Sequence, residues 1–211
     1  GTMMLMGLKA LTEDPVTKVI VLISKPPEEA VLSQLADAIK TVKKPVVTCF
    51  LGAKCPAAFD NVYPVQTLQE AAIKAVELSE MSGNLRARFA TPASQIQETA
   101  VAEAACFTVQ QKYLRGLFSG GTLCYEAMLV LRDSVGEVYS NVPLDQKYAL
   151  ADPEQSREHT LIDMGDDYFT DGRPHPMIDP GYRVERFKRE AWDPETAVVL
   201  LDVVIGYGCH E

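Results

Sequence analysis

Hydrophobic residues in the first half of the chain follow two alternating patterns. Short β-branched runs at Lys18–Ser24 and Pro45–Leu51 predict strands that are buried on both faces. Apolar residues at helical spacing over Glu28–Val42 and Gln66–Leu78 predict amphipathic helices, and Met3–Leu11 predicts a shorter one. This strand and helix order favours parallel strands that are joined by right-handed crossovers.

The second half of the chain repeats the alternation after a less regular stretch. Ser79–Pro92 carries glycine, proline and scattered polar residues, and it predicts the boundary between two units. The pattern beyond it predicts a long helix, a strand, a helix entered directly from two glycines, a strand, a helix and a final strand. These elements cover Ser94–Tyr113, Arg115–Phe118, Thr122–Leu131, His159–Met164, Arg183–Ala191 and Ala197–Ile205.

One phrase occurs in both units and favours a duplication. Asp14–Leu22 and Asp193–Leu201 both read Asp-Pro-x-Thr-x-Val followed by aliphatic residues, so a helix stop leads into a central strand in each. Independent origins stay open, because Asp-Pro often ends helices and aliphatic strands are common. A parallel unit needs a further helix over its last strand. We therefore expect either a truncated second sheet, in a fragment of a longer polypeptide, or an uncovered surface that receives a partner.

Composition and charge narrow the classes of function. The 211 residues carry a net charge of −9, and no cluster of lysine or arginine stands out, which argues against a nucleic-acid binder. Val198–Ile205 is too short to span a membrane, and the sequence begins with no charged and apolar leader, so we expect a cytoplasmic protein. Five cysteines without a Cys-x-x-Cys pair predict reduced thiols rather than a disulfide framework or a zinc site.

The first candidate for a ligand site is Ser119-Gly120-Gly121-Thr122, where a predicted strand passes into a helix. Unpaired amides at a helix N-terminus attract anions, and glycines permit close approach of a ligand or a positive φ. Ser119 and Thr122 add hydroxyl groups, and Thr122 is a candidate helix cap. The alternative is a tight turn that has no ligand.

Two further loops follow predicted strands. Asp163–Pro180 is rich in aspartate, glycine and proline, and we expect its Arg173 and His175 to lie near an anion at the first site. Its carboxylates, from Asp163, Asp166, Asp167, Asp171 and Asp179, are the residues of a less favoured magnesium site, and we predict no metal. The other loop, Gly52–Pro56, follows a predicted strand, which gives Lys54 and Cys55 the location expected of a ligand-facing loop. An ordinary loop thiol is the simpler interpretation of Cys55.

Several stretches resemble the succinyl-CoA synthetases. The Asp-Pro-x-Thr strand followed by Lys44–Gly52 (KPVVTCFLG) is similar to the second domain of the α subunit. The second half is similar to the carboxyl-terminal domain of the β subunit. There GLFSGGTLCYEA takes the place of the family's Asn-Gly-Ala-Gly turn and helix. HTLIDMGDD takes the place of its strand ending in Asp-Val-Gly-Gly, and DPETAVVLLDVVIG that of its Asp-Pro strand. Their order, together with the stretches HTLIDMGDDYFTDGRPHPMIDP and VVLLDVVIGYGCH, resembles the FdrA family of acyl-CoA synthetase-like proteins.

The resemblance implies an α/β fold with two flavodoxin-like parallel-sheet units in tandem. The first unit would be 1–82, a linker and long helix 83–112, and the second unit 113–211. It also implies CoA and ATP or ADP with magnesium in the full-length protein, a small phosphate or acyl ligand, and assembly into an oligomer or hetero-complex. No nucleic acid or membrane partner is implied.

One departure leaves the activity open. The family's phosphohistidine loop corresponds to Gly52–Asp60, which contains no histidine. An acid–thiol ligase would therefore lack its usual nucleophile. Some relatives are linked to carbamoyl transfer with oxamate and carbamoyl phosphate in purine nitrogen breakdown, which needs anion donors but no phosphohistidine. A non-catalytic assembly module is the third possibility.

Overall fold

The computed structural model describes residues 1–53, 60–79 and 90–210. The chain divides into two compact units, Gly1–Thr91 and Pro92–Glu211. Each unit contains one parallel three-stranded sheet with helices, so the predicted α/β class with two parallel-sheet units is confirmed.

The first unit has the strand order β1-β2-β3, all parallel. Its described elements are α1 (Thr2–Glu13), β1 (Ile20–Ser24), α2 (Glu29–Lys40), β2 (Val46–Phe50), β3 (Val62–Pro64) and α3 (Leu68–Leu78). Every residue of β2 is buried, as the continuous apolar run predicts for a central strand. Leu8 of α1 and Leu35 and Ile39 of α2 pack with Ile20 and Val46 in one core cluster.

The second unit has the strand order β5-β4-β6, again all parallel. Its described elements are α4 (Ala93–Ala104), β4 (Tyr113–Phe118), α5 (Gly121–Val135), a short 3₁₀ turn (Gln146–Tyr148), β5 (Thr160–Asp163), α6 (Asp167–Thr170), α7 (Gly181–Trp192) and β6 (Thr196–Leu201). The helix α5 packs on one cluster with Phe118 and Leu161, whereas Leu117 and Ile162 join a second cluster with Phe169. Alternate residues of β4 and β5 therefore belong to two separate core clusters.

Three sequence predictions of element bounds were wrong. The helix α4 ends at Ala104 and not near Tyr113, because the amides of Lys112 and Tyr113 donate to the carbonyl of Glu195 in the neighbouring strand segment. The strand β6 ends at Leu201 and not at Ile205, because its partner β4 ends one residue beyond the register pair Leu117 and Leu201. The loop Asp163–Pro180 contains the short helix α6.

The repeated Asp-Pro-x-Thr phrase forms a turn of the same kind in both units. The carboxylate of Asp14 accepts the amides of Val16 and Thr17, and that of Asp193 accepts the amide of Glu195. Each aspartate follows a helix, α1 or α7, and each turn leads toward a strand. The shared local geometry supports the predicted duplication.

Candidate functional site: the β4–α5 junction

The candidate site lies at the carboxyl edge of the second sheet. Phe118 of β4 is in register with Asp163 of β5, and Leu117 with Leu201 of β6, so the three strands end side by side. Ser119 follows β4 directly, and α5 begins two residues later, at Gly121. In open parallel sheets, ligands bind at this edge, where loops leave the strands.

The amides at the start of α5 have no acceptor among the described residues. None of the amides of Gly120, Gly121, Thr122 and Leu123 donates a hydrogen bond there. A Cβ atom placed on Gly120 would meet nothing within 4 Å, which shows open space beside the junction. Four free N–H groups at the positive end of a 15-residue helix form a site that suits an anion.

The structure decides two details of the junction that the sequence left open. The residue that caps α5 is Gly120 and not Thr122, and no side chain accepts a hydrogen bond in the cap. Gly120 has φ −159°, an extended conformation that any residue adopts, so a positive φ is not the reason for this glycine. Absence of a side chain at the open edge is the remaining structural role of Gly120.

Ser119 is tied to the strand β6 and to the helix α7. Its amide donates to both carboxylate oxygens of Asp202, at 2.8 and 3.0 Å, and its hydroxyl oxygen accepts a hydrogen bond from Nη1 of Arg183 at 2.8 Å. Burial lowers the pKa of the Arg183 guanidinium, and the charge of Asp202 acts in the opposite direction. The Ser119 amide is therefore not available to a ligand, in contrast to the next four.

His175 lies beside the junction. Nε2 of His175 and the carbonyl oxygen of Ser119 would both lie within 3 Å of a Cβ atom on Gly165, which follows β5. Nδ1 of His175 accepts the amide of Met177 at 3.1 Å, so in the neutral ring the hydrogen is on Nε2. The ring thus presents its N–H toward the strand ends.

Arg173 lies in a different setting. Its guanidinium carbon is 4.4 Å from the centre of the Tyr182 ring, a cation–π contact. With Phe169, Met164 and Tyr182 it lines a pocket of about 140 Å³ that does not include Ser119–Thr122. The structure brings His175 to the junction, and it gives Arg173 a contact with an aromatic ring.

A larger pocket of about 330 Å³ opens next to Ser119. Ser119, Arg183 and Asp202 form its polar base. The remaining wall is mainly apolar and consists of Pro176, Met177, Pro180, Val184, Phe187, Leu201, Val203 and Val204, with His210 at the rim. A pocket with an apolar wall and a few polar groups is typical of small-molecule sites.

The carboxylates of the acidic loop serve local turns. Asp163 accepts the amide of Gly165, Asp166 that of Tyr168, and Asp179 that of Gly181. Within the ranges that the structure describes, no group of three or more His, Cys, Asp or Glu side chains is arranged to hold a metal. Cys49, Cys106, Cys124 and Cys209 form no disulfide among the described residues, whereas Lys54 and Cys55 lie outside them.

Arg183 and Asp202 are site residues that the sequence interpretation missed. They lie 64 and 83 positions from Ser119, so no local motif joins them. Two signals were present in the sequence: Asp202 interrupts an apolar run, and α7 carries charged residues at 183, 186 and 190, on one helical face. The buried face of a helix is usually apolar, but the buried face of α7 carries Arg186 and Glu190.

Comparison with known proteins bears on the second unit in particular. Residues 117–211 match the family model described as CoA-ligase, which covers the junction, α5, α7 and β6. An Escherichia coli (strain K12) protein, "Uncharacterized protein YahF", is 43% identical over 214 residues. The alignment covers 100% of this chain and 40% of that relative, so the chain spans less than half of the relative's length.

These matches support the coarser part of the predicted resemblance. A match to a CoA-ligase domain agrees with a succinyl-CoA synthetase-like second unit. Assignment to the FdrA family remains a prediction. Among the described residues, no helix combines the length and the apolar character needed to cross a bilayer.

Proposed function

We propose that the second unit is an acyl-CoA synthetase-like ligase domain of the FdrA type, and that it binds a phosphate-bearing acyl ligand at Ser119–Thr122. The CoA-ligase match over residues 117–211 supports the class of reaction. We further propose that it acts in the cytoplasm, in an oligomer or with other subunits. Exposed apolar side chains such as Trp192 and Ile205, 86% and 87% accessible, are compatible with such an assembly.

The observation that carries this proposal is the set of free amides at the start of α5. The amides of Gly120, Gly121, Thr122 and Leu123 have no acceptor in the described structure, and the space beside Gly120 is open. Backbone donors at a helix N-terminus stabilise phosphate oxygens and the oxyanions of acyl transfer without further reorganisation.

The residues present fit the phosphate groups of the implied ligands. CoA would supply the thiol that accepts an acyl group, and ATP would supply the phosphate that activates an acid. Gly120–Leu123 would hold a phosphate oxygen by backbone donors, and Ser119 lines the adjoining pocket. Among the residues described, no group of three His, Cys, Asp or Glu side chains is arranged to hold magnesium.

Carbamoyl transfer is the second candidate, and the loop after β2 favours it. Gly52–Asp60 contains no histidine, so the phosphohistidine relay of the synthetases lacks its nucleophile there. A subunit of an oxamate carbamoyltransferase would need positioned donors for carbamoyl phosphate and no phosphorylated side chain. The α5 amides would then bind the phosphate group of that reactant.

Titration calorimetry with carbamoyl phosphate, acetyl phosphate, inorganic phosphate and CoA tests the site. The decisive variant is Gly120→Asp, whose carboxylate would accept the free amides as an N-cap and exclude a ligand anion. Because Gly120 is extended and has open space around it, the variant is expected to fold with at least wild-type stability. We expect its affinity for carbamoyl phosphate to fall about 100-fold, the effect of losing several charge-assisted donors.

Gly120→Ala is the matched control, since it adds a methyl group without a carboxylate. It is expected to weaken binding far less than Gly120→Asp. Equal affinity of wild type and Gly120→Asp would exclude the α5 amides as the site. If none of the four compounds binds the wild-type protein, the non-catalytic assembly module replaces both enzymatic proposals.

A further inference from the structure

The carboxylate of Asp202 is buried directly behind the candidate site. Asp202 is 9% accessible, and both of its carboxylate oxygens accept a hydrogen bond from the amide of Ser119. Ser119 is 2% accessible. Charge that is removed from water must be compensated by hydrogen bonds or by an opposite charge. Asp202 obtains both, the first from Ser119 and the second from Arg183 at 2.6 Å.

Arg183 collects acceptors from the ends of two strands. Its Nη2 donates to the carbonyl of Leu117 at 2.8 Å and to the carbonyl of Asp202 at 2.6 Å, and its Nη1 donates to the hydroxyl of Ser119. One side chain of α7 thus holds the backbone at the carboxyl ends of β4 and β6. A planar guanidinium holds several acceptors in a defined relative geometry, which a lysine cannot reproduce.

The anchored residue is followed immediately by the two residues with the greatest backbone freedom. Gly120 and Gly121 lack a Cβ atom, and the amide of Gly120 shares a peptide unit with the carbonyl of Ser119. If Ser119 were not held in place, the backbone of Gly120 and Gly121 would adopt many conformations, and the amide donors would point in many directions. A fixed Ser119 confines them, and preorganised donors bind an anion with less loss of entropy.

We propose that Arg183 and Asp202 are positioning residues of the anion site, which orient the amides of Gly120–Leu123 through Ser119 and do not themselves bind the anionic group. This inference rests on the proposed function for its ligand. It assigns a role to two residues that are 19 positions apart in sequence and that meet only at the carboxyl edge of the sheet.

The same helix offers a matched ion pair without this role. Arg186 and Glu190 pair within α7 at 2.6 Å, and their side chains are 1% and 6% accessible. Arg186 also donates to the carbonyl of Pro153 and to the hydroxyl of Ser156, so like Arg183 it contacts a carboxylate, a carbonyl and a hydroxyl. It has no contact with Ser119 or with the start of α5. A general loss of stability should therefore appear in variants of both pairs.

The test compares Arg183→Lys with Arg186→Lys in the 211-residue chain. The readouts are the affinity for carbamoyl phosphate by calorimetry, the ¹H–¹⁵N amide resonances of Gly120–Leu123 without ligand, and urea unfolding. Arg183→Lys is expected to lower the affinity about tenfold, as for misaligned donors, and to shift the Gly120 and Gly121 resonances. Arg186→Lys is expected to change the affinity less than about twofold and to leave these resonances in place, even if it unfolds more easily.

Equal losses of affinity in both variants, or unchanged Gly120 and Gly121 resonances in Arg183→Lys, would overturn the positioning role. Asp202→Asn provides a second variant should Arg183→Lys fail to fold, because asparagine keeps the size and one acceptor for the Ser119 amide. It should shift the same resonances. If the wild-type protein binds no phosphate compound, the proposed function fails, and the resonances alone decide whether Arg183 orients the amides.

Discussion

Gly165 packs so closely against His175 that a Cβ atom at this position would lie 2.7 Å from Nε2 of the imidazole. The same Cβ atom would lie 2.5 Å from the carbonyl oxygen of Ser119. A flexible side chain can move away from such a contact, but a backbone carbonyl at a strand end cannot. The absence of a side chain at Gly165 is therefore a condition for the approach of the β5 loop to the β4–α5 junction.

Gly165→Ala is accordingly expected to destabilise the protein by about 2 kcal/mol, a usual cost of overpacking, and to displace the Ser119 carbonyl. Urea unfolding measures the first effect. Gly120→Ala is the control, since its Cβ atom meets nothing within 4 Å, and it should cost no more than about 1 kcal/mol. Equal stabilities of the two variants would show that the loop after β5 can move to accommodate the added methyl group without a loss of stability.

Glu190 is the common partner of two buried arginines. Its carboxylate accepts from Nε of Arg186 at 2.6 Å and lies 3.2 Å from Nε of Arg115. Removing one charge from a buried network leaves the others uncompensated, so we expect Glu190→Gln to lower the free energy of unfolding by about 3 kcal/mol. Denaturant titration checks this value.

The control for that change is an exposed pair on the same helix. Glu185 and Lys188 lie 2.7 Å apart with side chains 67% and 57% accessible. Glu185→Gln should change stability by about 0.5 kcal/mol or less. If the Glu190→Gln protein is as stable as the Glu185→Gln protein, the charge of Glu190 is not needed to compensate the two buried arginines.

His159 should make the stability of the second unit depend on pH. Burial, and next the charge of Arg115, lower the pKa of His159 below its ordinary value of 6.5. Its Nδ1 also accepts the amide of Leu114 at 3.1 Å, which requires that nitrogen to be unprotonated. The unfolded chain therefore binds a proton more readily than the folded one does, and stability falls as the pH drops from about 6.5 through the lowered pKa.

Urea unfolding at pH 7.5 and pH 5.5 measures this dependence, with His159→Asn as the control. Asparagine offers an acceptor near the place of Nδ1 but does not titrate, so its stability should vary less over this range. An equal pH dependence in both proteins would assign the effect to other groups.

Lys44 joins the end of α1 to the start of β2 in the first unit. Its ammonium group donates to the carbonyl of Leu11 at 2.8 Å and to the carbonyl of Asp14. Lys44→Met would leave these helix-end carbonyls without a cation, at an expected cost of about 1 kcal/mol. The exposed neighbour Lys43 is the control, and Lys43→Met should be close to neutral in thermal unfolding. A similar change in both variants would remove the role of Lys44 as a cap.

The sequence predicted the order of strands and helices better than it predicted contacts between them. Aliphatic runs such as Val46–Phe50 are long enough to be recognised as central strands, whereas β3 has three residues and ends in proline, so no period is detectable. The helix α4 was predicted too long because the amides of Lys112 and Tyr113 are used by a partner strand that lies far away in sequence.

The candidate site shows the same division. The glycine pair and the helix start were recognisable in sequence, because their signals are local. The contacts of Arg183 and Asp202 with Ser119 were not, since they depend on which strand ends are neighbours in the sheet. Charged residues on the buried face of α7 contradict the usual apolar pattern, and that contradiction was the available signal.

The helix α7 is held near its start by Arg183 and farther along by Arg186 and Glu190. Arg183 holds the ends of β4 and β6, while Arg186, through Glu190, joins Arg115 in the middle of β4. A shift of this helix along the sheet would break several of these charged contacts at once, so we expect α7 to keep its position relative to the sheet. On the proposed function, we therefore expect any rearrangement on ligand binding to occur on the α5 side or in the segment after β6.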